Sequence, residues 1–161
     1  MNDDYRVGIG VDAHAFVDGV RLVLGGVEIP SPRGLAGHSD GDVITHALID
    51  AILGAAGLDD IGAMFPSDDP RWEGASSIDL LARAYGGVQS LGLELVNVDC
   101  VLIGEEPRLA PHRSEMRQRL AGALGVDELR VAVRATTTDR LGFTGRAEGL
   151  AAQAVALLAR T

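Results

Sequence analysis

The chain contains no lysine: all 14 of its basic residues are arginine. That absence excludes a Walker-A lysine, a Schiff-base lysine and the pyridoxal chemistry that depends on one. Cysteine is nearly absent too. The single Cys100 cannot form an intrachain disulfide, a multi-cysteine zinc site or an iron–sulfur site. Aromatic residues make up 4% of the chain against 47% hydrophobic residues overall, so the core has to be built from Ala, Val, Leu and Ile. There is no long apolar run. The longest, around LAAQAVALLA, contains Gln153 and falls well short of the ~18 residues of a membrane span, so no membrane association is expected. Positive charge is scarce: a net charge of -9 and a pI near 4.7, with no concentrated basic face, argue against nucleic-acid binding. The N-terminal MNDDYRVG lacks the basic start and apolar stretch of a signal peptide, which gives a cytoplasmic expectation.

What is present fits one domain over residues 1–161, large enough to remove roughly 70% of its unfolded surface from water. RVGIGV (6–11) reads as a first strand, and RLVLGGVEI (21–29) as a second, interrupted by Gly25 and Gly26 and expected to pair with the first. Residues 42–57 (DVITHALIDAILGAAG) are the clearest helix. Ile44, Leu48 and Ile52 recur on one stripe, and Asp42, His46 and Asp50 on a second, polar one. Residues 58–75, rich in Pro, Gly and Asp, read as a long irregular loop. Ser76 followed by Asp79 signals a capped helix ending at Gly92. LVNVDCVLIG (95–104) is a strand, HRSEMRQRLAGALG (112–125) a third helix, and DELRVAVRATTT (127–138) the last strand. The closing LAAQAVALLAR, apolar nearly all round, reads as a helix buried against a sheet. The order β-β-α-α-β-α-β-α implies an α/β (α+β) two-layer fold, a mixed four-stranded sheet with helices on one face. Its other face is left for self-association.

Three clusters carry candidate chemistry. Asp12 and His14 sit two apart in an extended segment and point the same way. His46, on the polar stripe of the first helix, adds a second imidazole. Two His and one Asp without Cys suit zinc and leave a fourth position for substrate. HSDGD (38–42) stands at the entry to that helix, where Ser39 or Asp40 can cap free amides, and where His38 and Ser39 can present donors to a phosphate. ATTTDRLGFTGR follows the last strand, offering Thr hydroxyls and Asp139 for a hard cation. Gly8, Gly10 and Ala13 mimic a dinucleotide-binding glycine pattern, but no helix can begin there before Gly19.

Taken together, V-D-A-H, G-H-S-D-G-D with H-A-L-I-D-A-I-L-G-A-A, D-D-I-G with F-P-S-D-D-P, and A-T-T-T-D-R-L-G-F-T-G-R-A-E-G occur in the order and spacing of a known family. Over nearly its whole length the chain resembles the 2-C-methyl-D-erythritol 2,4-cyclodiphosphate synthases of non-mevalonate isoprenoid biosynthesis. The resemblance implies a homotrimer whose sheets pack around a three-fold axis, with active sites between neighbouring subunits. It implies Asp12, His14 and His46 as ligands of one Zn2+ per subunit, and His38 and Ser39 as holders of substrate phosphate. Asp60 and Gly62 would bind the erythritol hydroxyls. A cytidyl-diphosphate pocket from the adjacent subunit would comprise Gly104, Arg108, Leu109, Ala135, Thr136 and Thr137.

By the same resemblance, Thr137 and Asp139 join His38 and Ser39 as catalytic residues, Asp139 holding Mg2+ or Mn2+ across the substrate diphosphate. Phe143 and Arg146 would also bind substrate, and Arg146 and Glu148 would lie near the three-fold axis, where Arg146 could hold an isoprenoid diphosphate in a central cavity. The implied reaction is intramolecular: the 2-phosphate of 4-diphosphocytidyl-2-C-methyl-D-erythritol 2-phosphate attacks the β-phosphorus and expels CMP. Four positions depart from the family's usual residues: Arg108 for Lys, Asp139 for Glu, Ala147 for Gly and Ser67 for Asp. The competing readings are a zinc phosphohydrolase and a trimeric nucleotide- or isoprenoid-binding module whose metal is structural.

Overall fold

The computed structural model describes residues 4–161, so part of the MNDDYRVG segment used above lies outside the described residues. Strand β1 (Tyr5–Asp18) is the long spine of the fold. It pairs antiparallel with β7 (Gly149–Arg160) along most of its length, and with the short β4 (Arg33–Leu35) at its far end. On the other side of β7 lies β5 (Leu93–Ile103), antiparallel, and then β6 (Val131–Thr136), parallel to β5. The sheet order is β4-β1-β7-β5-β6. The sheet is therefore five-stranded rather than four-stranded, and two expectations about it need correction.

The first concerns LAAQAVALLAR, which is a central strand and not a helix. Leu150, Ala152, Ala154, Ala156 and Leu158 are buried at period two. The intervening Ala151, Val155 and Leu157 are also apolar, so the alternation is hidden in the sequence. Pairing on both edges with β1 and β5 supplies hydrogen bonds that override the helical preference of alanine. The second concerns residues 21–29, which do not pair with β1. They fold back on themselves as β2 (Leu22–Leu24) and β3 (Val27–Ile29), turning at Gly25 and Gly26, both with positive φ.

Helix α1 (Val43–Ala56) packs across β1, β7 and β5 and is buried on almost every side. It lies close because Gly8 and Gly10 of β1 present no side chain to it and β7 presents alanines. The expected polar stripe is real, but Asp42 and His46 on it are buried. Asp42 is fully buried, where it caps Thr45 N–H and accepts from the Gly25 and Gly26 amides at 2.9 and 2.7 Å. Asp50 accepts the Ile61 amide at 2.7 Å.

Beyond α1, the 58–75 segment holds a short helix α2 (Ile61–Met64) and a 3-10 turn at Pro70–Trp72. Helix α3 (Ser77–Gln89) and helix α4 (Arg113–Leu124) complete the layer, and a one-turn helix α5 (Gly142–Gly145) precedes β7. Ser76 makes no capping bond through its side chain. The first amide of α3, on Ser77, is instead taken by Asp40, 37 residues away.

Candidate active site

The end of β1 and the first turns of α1 converge on one point. Asp12 and His14, on the same face of β1, are half-buried. His14 Nε2 lies 2.7 Å from Asp12 Oδ2. His46, one turn into α1 and 8% exposed, brings its Nδ1 to 3.1 Å from the same carboxylate oxygen and 3.3 Å from His14 Nε2. One ligand atom from each of the three lies within 4.8 Å of the others. Burial alone would raise the Asp12 pKa, but the hydrogen bonds and positive charge of His14 and His46 outweigh it and hold the carboxyl at about 2. The hydrogen bond to Asp12 raises His14 above the ordinary imidazole value against the opposing effect of burial. One carboxylate and two imidazole nitrogens aimed at a common point form a donor set that fits a divalent metal such as zinc.

This triad lies in the wall of a cavity of about 580 Å3. His38 and Ser39 line it, and so does Gly62. Apolar residues line it as well: Phe65 and Trp72 meet edge to face at 5.0 Å between ring centroids. In the sequence, nothing marked these residues as cavity lining beyond the presence of two aromatics in the loop. Asp60 sits beside the cavity, not in it: its carboxylate caps α2 through the Ala63 amide and faces a neighbouring acidic depression with Asp50 and Asp59.

A second, separate cavity of about 240 Å3 gathers Gly104, Arg108, Leu109, Ala135, Thr136 and Thr137 at the ends of β5 and β6. All six expected cytidyl-pocket residues are here. A Cβ at Gly104 would meet the end of the Leu150 side chain, which would have to shift to admit it. The two cavities have no lining residue in common. Asp139, exposed and at φ 52°, accepts the Thr137 hydroxyl at 3.2 Å. Phe143 and Arg146 lie on and just after α5, exposed and outside both cavities, with Arg146 paired to Glu148 at 2.9 Å. Ala147 holds φ 55°, a conformation in which glycine is unstrained.

Two further residues belong to the first site, though neither was singled out as part of it in the sequence. Ser77 Oγ lies 2.8 Å from His46 Nε2, and Asp40 stands behind Ser77. The sequence signal for Asp40 was present in HSDGD, but its partner across the loop was not.

A mixed α/β fold with a carboxylate and two imidazoles gathered in the wall of a cavity fits a metal-dependent enzyme. The chain belongs to the YgbB family, whose model matches residues 5–159. It is 62% identical over 159 residues to the 2-C-methyl-D-erythritol 2,4-cyclodiphosphate synthase of Rubrobacter xylanophilus, covering 97% of this chain and 96% of that one. Identity to the enzyme of the same name from Moorella thermoacetica is 57% over 153 residues, with 95% and 94% covered. Among solved structures, the CDP complex of IspF from Plasmodium falciparum superposes with a TM-score of 0.86 at 30% identity, covering 100% of this chain and 99% of that chain.

Proposed function

We infer that the chain converts 4-diphosphocytidyl-2-C-methyl-D-erythritol 2-phosphate to 2-C-methyl-D-erythritol 2,4-cyclodiphosphate and CMP, as a phosphorus–oxygen lyase of non-mevalonate isoprenoid biosynthesis. The observation that carries this reading is the convergence of Asp12, His14 and His46 in a chain with full-length relatives of that name. CDP bound to a structural neighbour supports a cytidyl substrate.

The chemistry requires little of the side chains. A phosphate is already an anionic nucleophile, so neither a serine nor a thiolate has to be activated. Cys100 could not serve in any case, since burial pushes its thiol up to about 12. What the reaction needs is two mutually repelling phosphates held in line. Asp12, His14 and His46 would hold Zn2+, and Asp139 would hold Mg2+ or Mn2+. Such ions, when bound, neutralise phosphate charge and polarise the β-phosphorus. His38 and Ser39, on the loop entering α1, donate to phosphate oxygens, and Gly62 presents its backbone to the erythritol end beside Asp60. Arg108, Thr136 and Thr137 hold the cytidyl phosphates while backbone groups of Gly104, Leu109 and Ala135 face the base.

The two cavities share no lining residue, and in the homotrimer that the family resemblance implies the cytidyl cavity of one subunit would complete the metal cavity of its neighbour. Tyr5, Val7, Ile9 and Val11 support it: these alternate residues of β1 are 56–69% exposed, and with Val155 they form an apolar sheet face suited to burial against other copies. Arg146 and Glu148 would then border a central channel open to an isoprenoid diphosphate, with Phe143 beside the substrate. The subunit is a single domain over residues 1–161 acting in the cytoplasm.

The experiment is phosphorus NMR of the protein mixed with zinc, magnesium and substrate. Resonances of a cyclic diphosphate and CMP in equal amounts are expected. Inorganic phosphate in their place would establish the phosphohydrolase reading, and unchanged substrate the binding-module reading.

A further inference from the structure

His46 Nε2 has two hydroxyls within reach, Ser77 Oγ at 2.8 Å and Ser39 Oγ at 3.0 Å, and they are not equivalent. Ser77 is fully buried, and its own hydroxyl proton is committed to Asp40 Oδ1. Its backbone amide donates to Asp40 Oδ2 at 2.9 Å, so one carboxylate grips both groups of the same residue. With its proton given away, Ser77 Oγ can only accept from His46. Ser39 is half-buried, lies in the wall of the main cavity and has His46 as its one side-chain partner among the described residues.

We propose that Ser77 and Asp40 are positioning residues for the metal ligand His46, forming a relay in which Nε2–H donates to Ser77 Oγ and Ser77 donates to Asp40. The relay fixes the imidazole as the tautomer whose Nδ1 lone pair faces Asp12 and His14. It also frees Ser39 to turn its hydroxyl to the substrate phosphate. The two serines that contact one nitrogen are thus divided by burial: Ser77 serves the metal and Ser39 the substrate. The inference rests on Asp12, His14 and His46 binding a divalent ion.

The test uses the full-length protein and Zn2+ alone, in competition with a chromogenic chelator. Ser77→Ala should weaken zinc binding by about 10–100-fold, the usual effect of removing a ligand's outer partner. Ser39→Ala should change it by less than about threefold while raising KM. Proton NMR of the zinc-loaded wild type should show a His46 Nε2–H protected from solvent exchange, and Ser77→Ala should lose that protection. Asp40→Asn, which cannot accept both Ser77 bonds, should fall between wild type and Ser77→Ala. A folded Ser77→Ala with wild-type zinc affinity would overturn the proposal. Should Ser77→Ala fail to fold, an unprotected His46 Nε2–H in the wild type, or an unaltered affinity in Asp40→Asn, would do the same. Failure of the wild type to bind zinc would instead overturn the metal reading beneath it.

Discussion

Gly10 of β1 rests directly against the main chain of Ala47 in α1, with no room between them for even a methyl group. Because Ala47 follows His46, and Gly10 precedes Asp12 by one face position, this contact sets the distance between the helix-borne and strand-borne members of the triad. Gly10→Ala should therefore cost about 3 kcal/mol in stability through overpacking. It should also lower zinc affinity, since α1 must move away from β1. Urea denaturation and chelator competition measure the two effects, and a variant with normal stability would show that α1 is free to shift.

Asp139 combines a positive φ with an acceptor position toward the Thr137 hydroxyl. Asparagine tolerates that backbone conformation and keeps the acceptor, so Asp139→Asn changes charge with little effect on the turn. With a second cation held there, kcat should fall about 10–100-fold with little change in KM, because the charge counts mainly as the transition state forms. Asp139→Glu should retain substantial activity. Steady-state kinetics across a magnesium titration decide it; unchanged kcat and magnesium dependence in the Asn variant would leave Asp139 as a turn residue.

The exposed stripe of β1 offers a test of assembly. Ile9→Glu puts a charge in the middle of the apolar sheet face, where burial in a trimer would be prohibitive. Light scattering should change from a trimer to a monomer mass at micromolar concentration, and turnover should be lost while zinc is still bound. An active monomer would refute the shared-site arrangement.

Asp42 should give the stability a recognisable pH dependence. Burial, with the negative charge of Asp40 adding to it, raises its pKa above the ordinary carboxyl value despite bonds from Thr45 and Gly26. A group raised on folding contributes stability that is fully present below its unfolded pKa of 3.8 and is lost as pH rises through the folded value. Relative to the non-titrating Asp42→Asn, the wild type should therefore gain stability as pH falls from 7 to 4. Urea unfolding of both proteins at the two pH values checks this, and a gain in the opposite direction would contradict it.

The sequence by itself determined the local features. The polar and apolar stripes of α1, the same-side placement of Asp12 and His14, and the turn signals at Gly25 and Gly26 are all set by short-range periodicity and backbone preference. The motifs carried the family. What they could not contain was the partner of each element. Residues 150–160 are apolar at nearly every position, so only pairing with β1 and β5 made them a strand. The capping signal in the sequence lay at Ser76 and Asp79, and only the fold brought the neighbouring Ser77 between His46 and Asp40, 31 and 37 positions away in the chain. The cytidyl and metal clusters were both readable as motifs, yet their separation into two cavities was decided by where β5 and β6 end relative to β1. Side-chain periodicity is a property of a few consecutive residues, whereas ligand geometry depends on which distant elements close upon one another, and that is fixed by packing.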